Sequence, residues 1–160
     1  MIPLPLLQQR EIEAAALAPL VRTFEREVGR DRARAILAET VGELARQAGC
    51  AAAAAVGGND LPHLKQAIEL WKAGGALELE VLRDDGERLE FNVTRCRYAE
   101  MYRRLGLEEL GPILSCGRDG KMIEGFNPAI GFARTQTLME GATHCDFRYW
   151  VEARSPSGRG

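Results

Sequence analysis

Along the first third of the chain, apolar residues recur every three or four positions; near residue 76 the spacing tightens to every second. The first rhythm belongs to helices with one buried stripe, the second to strands with one buried face. Leu17, Leu20, Val21, Phe24 and Val28 form one stripe, with Pro19 marking a helix start or a kink. Asp31 can cap a second helix, whose Ile36, Leu37, Val41, Leu44, Ala48 and Ala52 make another stripe before Gly57 and Gly58 end it. Asn59 or Asp60 caps a third. It carries Pro62 in its first turn and Leu64, Ile68 and Trp71 along one face, and Gly74–Gly75 close it.

Leu77, Leu79 and Val81 then alternate with Glu78 and Glu80, Asp85–Gly86 supply a turn, and Leu89, Phe91 and Val93 alternate with Glu90, Asn92 and Thr94. That is a hairpin with one buried face. Helical spacing returns at Tyr98, Met101, Tyr102 and Leu105, stopped by Gly106, and a further helical turn or two covers Leu107–Cys116. Gly125, Asn127 and Pro128 read as a loop ahead of two more strands, near Ile130–Met139 and Cys145–Val151, and Ser155–Gly160 as a frayed tail. The expected fold is one α+β domain over 1–160: N-terminal helices (about 10–73), then a four-stranded antiparallel sheet with an inserted helix (about 76–152).

Composition narrows the function classes. At 160 residues, with 46% hydrophobic and 28% charged, the chain is globular and long enough to bury a core without a metal or disulfide. A net charge of -2 with no basic stripe argues against nucleic acid as a partner. The apolar run Cys50–Val56 is far below the roughly 20 residues that span a bilayer, so no membrane partner is expected. The first residues have no cationic start and no small-residue cleavage site before Glu11, and the four cysteines form no CxxC pair. Free thiols and a cytoplasmic location are the expectation.

The residues with chemical potential crowd between Cys96 and Arg148. On a strand at 145–151, Cys145, Phe147, Tyr149 and Val151 share one face, while His144, Asp146, Arg148 and Trp150 share the other. Cys145 therefore reads as a buried small hydrophobe. His144 and Asp146 stand in the relation of an imidazole oriented by a carboxylate. Cys116 is a candidate nucleophile: a thiol needs a lowered pKa or a nearby base, and His144 could be that base, with Arg118 or Arg97 stabilising a thiolate. A zinc site from Cys96, Cys116, His144 and Cys145 is available in composition. Its spacing matches no zinc pattern and the opposed strand faces hinder it, so no metal and no cofactor are expected.

Four words carry a more specific signal: CRYAEMY from Cys96, SCGRD from Ser115, EGFNP from Glu124 and RTQTLMEGA..CDFR from Arg134. In this order and spacing the chain resembles the L-2-amino-thiazoline-4-carboxylic acid hydrolase family over about its last 65 residues. One departure is the pair Gly117 and Gly120 flanking Arg118–Asp119, where a bulkier residue is expected; it predicts a looser segment after Cys116. The resemblance implies hydrolytic opening of a small cyclic C–N/C–S substrate that carries a carboxylate. Cys116, His144 and Asp146 would form the catalytic centre, with His144 as base and then acid. Glu124 or Glu140 would pair with the substrate amidinium, Arg134 or Arg148 would grip its carboxylate, and Asn127 would donate from the EGFNP loop. The ending MEGATHCDFRY also resembles 4-vinyl-reductase-type domains, which offers a non-catalytic small-molecule- or zinc-binding domain as the alternative. The alanine-rich helix at 31–56 would suit a homodimer contact or simply the core.

Overall fold

The structure is a computed structural model that describes residues 4–152. The tail read as frayed lies outside the described residues. Five helices and four strands follow one another as α1 (Leu6–Val28), α2 (Arg30–Val56), α3 (Leu61–Lys72), β1 (Leu77–Asp84), β2 (Arg88–Cys96), α4 (Arg97–Arg104), α5 (Arg118–Phe126), β3 (Ile130–Ala133) and β4 (Cys145–Val151). A π-helical turn, Pro112–Cys116, leads into α5, and a 3₁₀ turn, Leu138–Glu140, separates β3 from β4. The sheet is antiparallel with strand order β1-β2-β4-β3, and it is the single α+β domain expected from the sequence.

The caps explain several boundaries. Asp60 accepts a hydrogen bond from the His63 amide at 3.0 Å and starts α3, with Pro62 in the first turn. Asp31 does not cap α2: it lies inside the first turn, and Gly29, at φ 86, makes the corner between α1 and α2. The Cys96 sulfur accepts the Ala99 amide at 3.4 Å and starts α4. At the β1–β2 turn, Asp85 accepts the amides of Glu87 and Arg88 at 3.1 and 2.9 Å.

Two cores result. Leu89, Phe91, Val93, Cys145, Phe147 and Tyr149 present the buried sheet face to α3 and α5. Ala14, Ala18, Val21, Val41, Met101 and Tyr102 join α1, α2 and α4 in the second. The helix stripes are only partly the expected ones: Val21 and Val41 are buried, and Leu17 and Leu37 pack against the second core. Leu20, Phe24, Val28, Ile36 and Leu44 are exposed, while Ala14, Ala18, Ala33, Gly42, Ala45 and Gly49 make the contacts. Small residues win there because they let helix backbones approach closely. A Cβ on Gly49 would lie 2.0 Å from the Met122 carbonyl oxygen, and one on Gly125 would lie 2.0 Å from that of Arg46. Helices α2 and α5 therefore cross backbone to backbone.

That crossing corrects the reading of the EGFNP word. Glu124 and Gly125 belong to α5, not to a loop, and the chain leaves the helix only at Asn127. Nor do the flanking glycines loosen the segment after Cys116. Gly120 brings α5 within 3.3 Å of the Phe132 ring for an added Cβ, a packed contact. Two strands also differ. β3 ends at Ala133 rather than Met139, because Asp146 takes the amides of Thr135 and Gln136 and peels that chain off the sheet. β1 runs on to Asp84, but Val81 and Leu82 are exposed where this edge strand shifts register.

Candidate active site

One cavity of about 100 Å³ opens where the two cores meet. Its floor is the buried face of the sheet, with Val93 from β2 and Cys145 and Phe147 from β4. Cys96 and Tyr98 close one side and Trp71, at the end of α3, another. The remaining wall is charged: Arg118 and Asp119 from the first turn of α5, Arg134 just after β3, and Arg10 from α1. Cys116, the last residue of the π-helical turn, sits between these walls.

Strand alternation and helix phase produce this convergence. Cys145 and Phe147 point inward because β4 has a period of two, with their neighbours turned outward. The π turn shifts the phase of the chain by one residue, and the Gly117 amide closes onto the Pro112 carbonyl at 2.7 Å. Cys116 and Asp119 then stand three residues apart on one side. The Asp119 carboxylate accepts a hydrogen bond from Arg134 Nη1 through Oδ2, and the same nitrogen donates to the Cys116 carbonyl at 3.1 Å. The Arg134 guanidinium lies 5.5 Å from the Phe147 ring centroid, a cation–π position. One arginine therefore ties the π turn, α5 and β4 together.

Electrostatics in the cavity are set by burial. Burial pushes the Asp119 carboxyl up to about 6, against the opposing pull of Arg134 and, more weakly, Arg10 and Arg118. Burial, reinforced by Asp119, pushes the Cys116 thiol well above its ordinary range, with Arg134 opposing. Cys96 rises to about 11 from the same first cause, and Cys145 also rises through burial. All three thiols are therefore held protonated at neutral pH. Tyr98 is pushed up to about 12 by burial, and its hydroxyl donates to the Trp71 carbonyl at 3.1 Å.

Of the side chains expected from the sequence to form the site, Cys116, Arg134 and Arg118, the last offered as a partner for a thiolate, line this cavity. His144 lies in the bend just before β4, and its Nδ1 pairs with the Thr143 hydroxyl at 3.0 Å. It neither lines the cavity nor pairs with Cys116. Asp146, one residue into β4 and on the face opposite Cys145 and Phe147, is spent on the neighbouring loop. It accepts from the Thr135 amide (2.8 Å), the Thr135 hydroxyl (2.6 Å) and the Gln136 amide (2.9 Å), and orients no imidazole. Burial pushes its carboxyl up, but those hydrogen bonds outweigh burial and hold it below the ordinary range.

The remaining four are structural ties. Arg148 donates to the Phe91 and Phe147 carbonyls at 2.9 and 2.8 Å and to Asn92 at 2.9 Å, across the outer sheet face. Glu124 pairs with Arg46 and Lys121 at the surface. Asn127 donates to the Asn59 carbonyl at 2.9 Å and accepts from the Ala129 amide. Glu140 is exposed and accepts from the Thr137 hydroxyl at 2.8 Å, while Thr137 accepts its amide in return. Among the described residues, no three His, Cys, Asp or Glu side chains stand close enough to hold a metal ion. Nor is any described helix long and apolar enough to cross a membrane.

Sequence reasoning passed over Asp119 and Arg10. Asp119 had a signal, since it ends the SCGRD word three residues after Cys116. Arg10 had none: it is one of many charged residues on a helix, and only tertiary packing brings it to the cavity.

Comparison with known proteins places the chain in a family. The family model described as L-2-amino-thiazoline-4-carboxylic acid hydrolase matches residues 9–149. The chain belongs to that family. The match takes in every cavity-lining residue from Arg10 to Phe147, and only Leu6 of the lining precedes it. A search of curated proteins finds no match. Among solved structures, the fold is shared with the phenol-responsive sensory domain of the transcription activator PoxR, solved with phenol. The two are 18% identical, with a TM-score of 0.54, covering 86% of this chain and 74% of that one. At that identity the likeness concerns the fold alone.

Proposed function

We propose that this member of the family is a hydrolase that opens a small cyclic C–N/C–S substrate bearing a carboxylate, such as 2-amino-thiazoline-4-carboxylate, in the cavity between α1, α5 and the sheet. The observation that carries the reading is Asp119. It is a cavity-lining carboxyl held near 6, bonded through one oxygen only, beside Cys116 and inside a ring of arginines. A carboxyl of that pKa is ionised at neutral pH yet ready to take a proton, which suits a general base.

The ring is a cyclic isothiourea whose amidinium pairs with a carboxylate and whose planar face suits Phe147 and Trp71. In the proposed reaction, water adds to the amidine carbon and gives one proton to Asp119. The adduct's hydroxyl then becomes a carbonyl as the carbon–sulfur bond breaks; the Asp119 proton passes to the departing sulfur, and the hydroxyl proton leaves to solvent in place of the one the amidinium brought. The products are a free thiol and a ureido group on the former ring nitrogen, so the net change is the addition of one water. Sulfur is the better leaving atom because a thiol ionises near pH 8.5, far below an amine N–H. Cys116 is held as a thiol, so its own attack would first require loss of its proton to Asp119; direct attack by water avoids that cost.

A second reading has support in the fold shared with a phenol-responsive sensory domain and in the aromatic wall of the cavity: a domain that binds a small ring compound without turnover. One experiment separates them. Purified protein is incubated with 2-amino-thiazoline-4-carboxylate and thiol release is followed, beside Asp119→Asn and Cys116→Ala. Turnover that Asp119→Asn abolishes supports the hydrolase. Saturable binding with no thiol release favours the binding domain, and turnover that survives Asp119→Asn refutes the role of Asp119.

A further inference from the structure

Two arginines of the cavity keep most of their hydrogen-bonding capacity unspent. Arg10 comes from α1 and Arg118 from the first turn of α5, with side chains only 15% and 13% exposed. Both turn to a single acid, Glu13, which stands one helical turn beyond Arg10 and is 41% exposed. Arg10 binds it through Nη1 alone, at 2.7 and 2.6 Å to its two oxygens. Arg118 reaches it weakly, Nη2 to Oε2 at 3.4 Å, and spends Nε on the Leu114 carbonyl at 2.8 Å. A guanidinium offers five N–H donors. Among the described residues, Nε and Nη2 of Arg10 and Nη1 of Arg118 meet no protein acceptor within hydrogen-bond reach.

The charge balance points the same way. Around the cavity stand Arg10, Arg118 and Arg134 against Glu13 and Asp119, a surplus of one positive charge. Burial and the neighbouring Arg10 both push the Arg118 guanidinium down, the sign of two like charges packed together short of counter-charge. The two arginines first expected to hold a carboxylate are committed elsewhere: Arg134 to Asp119 and the Cys116 carbonyl, Arg148 to the outer sheet face. A carboxylate entering beside Arg10 and Arg118 would meet that positive surplus and fill the free donors.

We propose that Arg10 and Arg118 form the carboxylate subsite of the cavity, and that Glu13 is the resident carboxylate which an incoming one displaces toward solvent. The inference rests on the reading that the ligand bears a carboxylate, and not on hydrolysis itself. Glu13 holds the two guanidiniums together in the empty site and gives way because its own side chain is already part-exposed. An uncharged ring compound gains nothing from this exchange, so the subsite selects anions.

Titration calorimetry with thiazolidine-4-carboxylate and its carboxamide tests this, since that ring has no amidine carbon for the proposed water attack. Wild type binds the carboxylate at least about tenfold more tightly than the carboxamide, as expected for a desolvated bidentate pair. Arg118→Gln and Arg10→Gln each erase that preference while leaving carboxamide binding within about twofold. Glu13→Gln tightens the carboxylate several-fold and leaves the carboxamide unchanged. Equal binding of the two ligands by wild type, or no binding of either, overturns the subsite. A Glu13→Gln variant that weakens the carboxylate overturns displacement and makes Glu13 an aligner of the arginines. Should either arginine variant fail to fold, the wild-type and Glu13→Gln comparisons still decide. Turnover of 2-amino-thiazoline-4-carboxylate with KM unchanged in Arg118→Gln would sink the subsite and leave the hydrolase. Carboxylate-selective binding without turnover would do the reverse.

Discussion

Adding one methyl group at Gly125 probes the closest contact in the fold. The Cβ of Gly125→Ala would stand 2.0 Å from the Arg46 carbonyl oxygen and 2.7 Å from its carbonyl carbon. Both are backbone atoms of α2, so no side chain can swing aside and the helices must part. Forcing extra volume into a packed contact costs typically 1–3 kcal/mol, and a clash with backbone belongs at the upper end, about 3. Alanine recovers about 1 kcal/mol of helix propensity relative to glycine. The net is a loss of about 2 kcal/mol, or about 4–8 °C in Tm for a domain of this size. Gly49→Ala meets the Met122 carbonyl oxygen at the same 2.0 Å and loses a similar amount. Because both substitutions open one crossing, the double variant loses less than the sum of the two. Thermal unfolding followed by circular dichroism reads all three. A Gly125→Ala protein that melts at or above the wild-type temperature would refute the backbone-to-backbone crossing of α2 and α5.

The acid–base assignment predicts that kcat/KM rises with pH through about 6, as Asp119 ionises, and that this limb vanishes with the residual activity of Asp119→Asn. The same carboxyl is raised above its unfolded value of 3.8, so the folded state binds the extra proton and stability falls as pH rises from about 4 to 6; urea titrations should show that slope flattened in Asp119→Asn. His144→Ala, in the bend before β4 and outside the cavity lining, should keep wild-type turnover and change stability by less than about 0.5 kcal/mol; a large loss of turnover would return His144 to the site. Asp146→Ala should cost about 1–3 kcal/mol by releasing the 134–137 segment, without altering KM before unfolding sets in. With Ellman's reagent at pH 7, Cys50 should react rapidly and Cys96, Cys116 and Cys145 slowly, since Cys50 alone of the four is exposed; rapid modification of Cys116 would contradict its burial.

Much of the architecture can be read from periodicity, because burial on one face leaves a pattern that no other constraint imitates. The alternation at Leu89, Phe91 and Val93, and again at Cys145, Phe147 and Tyr149, recurs intact as the buried sheet face. The helix contacts were misjudged where large side chains were given more weight than small ones. Leu20, Phe24 and Leu44 face outward, while Ala14, Ala45 and Gly49 form the seams. Close approach of two backbones is a property of pairs of helices and leaves no period of its own. The site divides on the same principle. Cys116 and Arg134 stand in distinctive words and meet in the cavity. Asp146 stands in an equally distinctive word, yet the parity of β4 that puts Cys145 inward puts it outward, and His144 falls in the bend before the strand begins. Arg10 was beyond reach, because its role depends on where α1 lies against α5.

The cavity draws its walls from the first helix and the last strand described, Arg10 on α1 and Cys145 and Phe147 on β4. During synthesis such a binding place cannot exist until β4 has left the ribosome and paired with β2, so a nascent or C-terminally clipped chain should be unable to capture the small molecule at all. A ligand held there would act as a non-covalent staple between α1 and β4, and occupancy at a hundredfold excess over Kd would add about 2.7 kcal/mol to the domain. Ligand supply would then set how long each copy survives, as much as what it does.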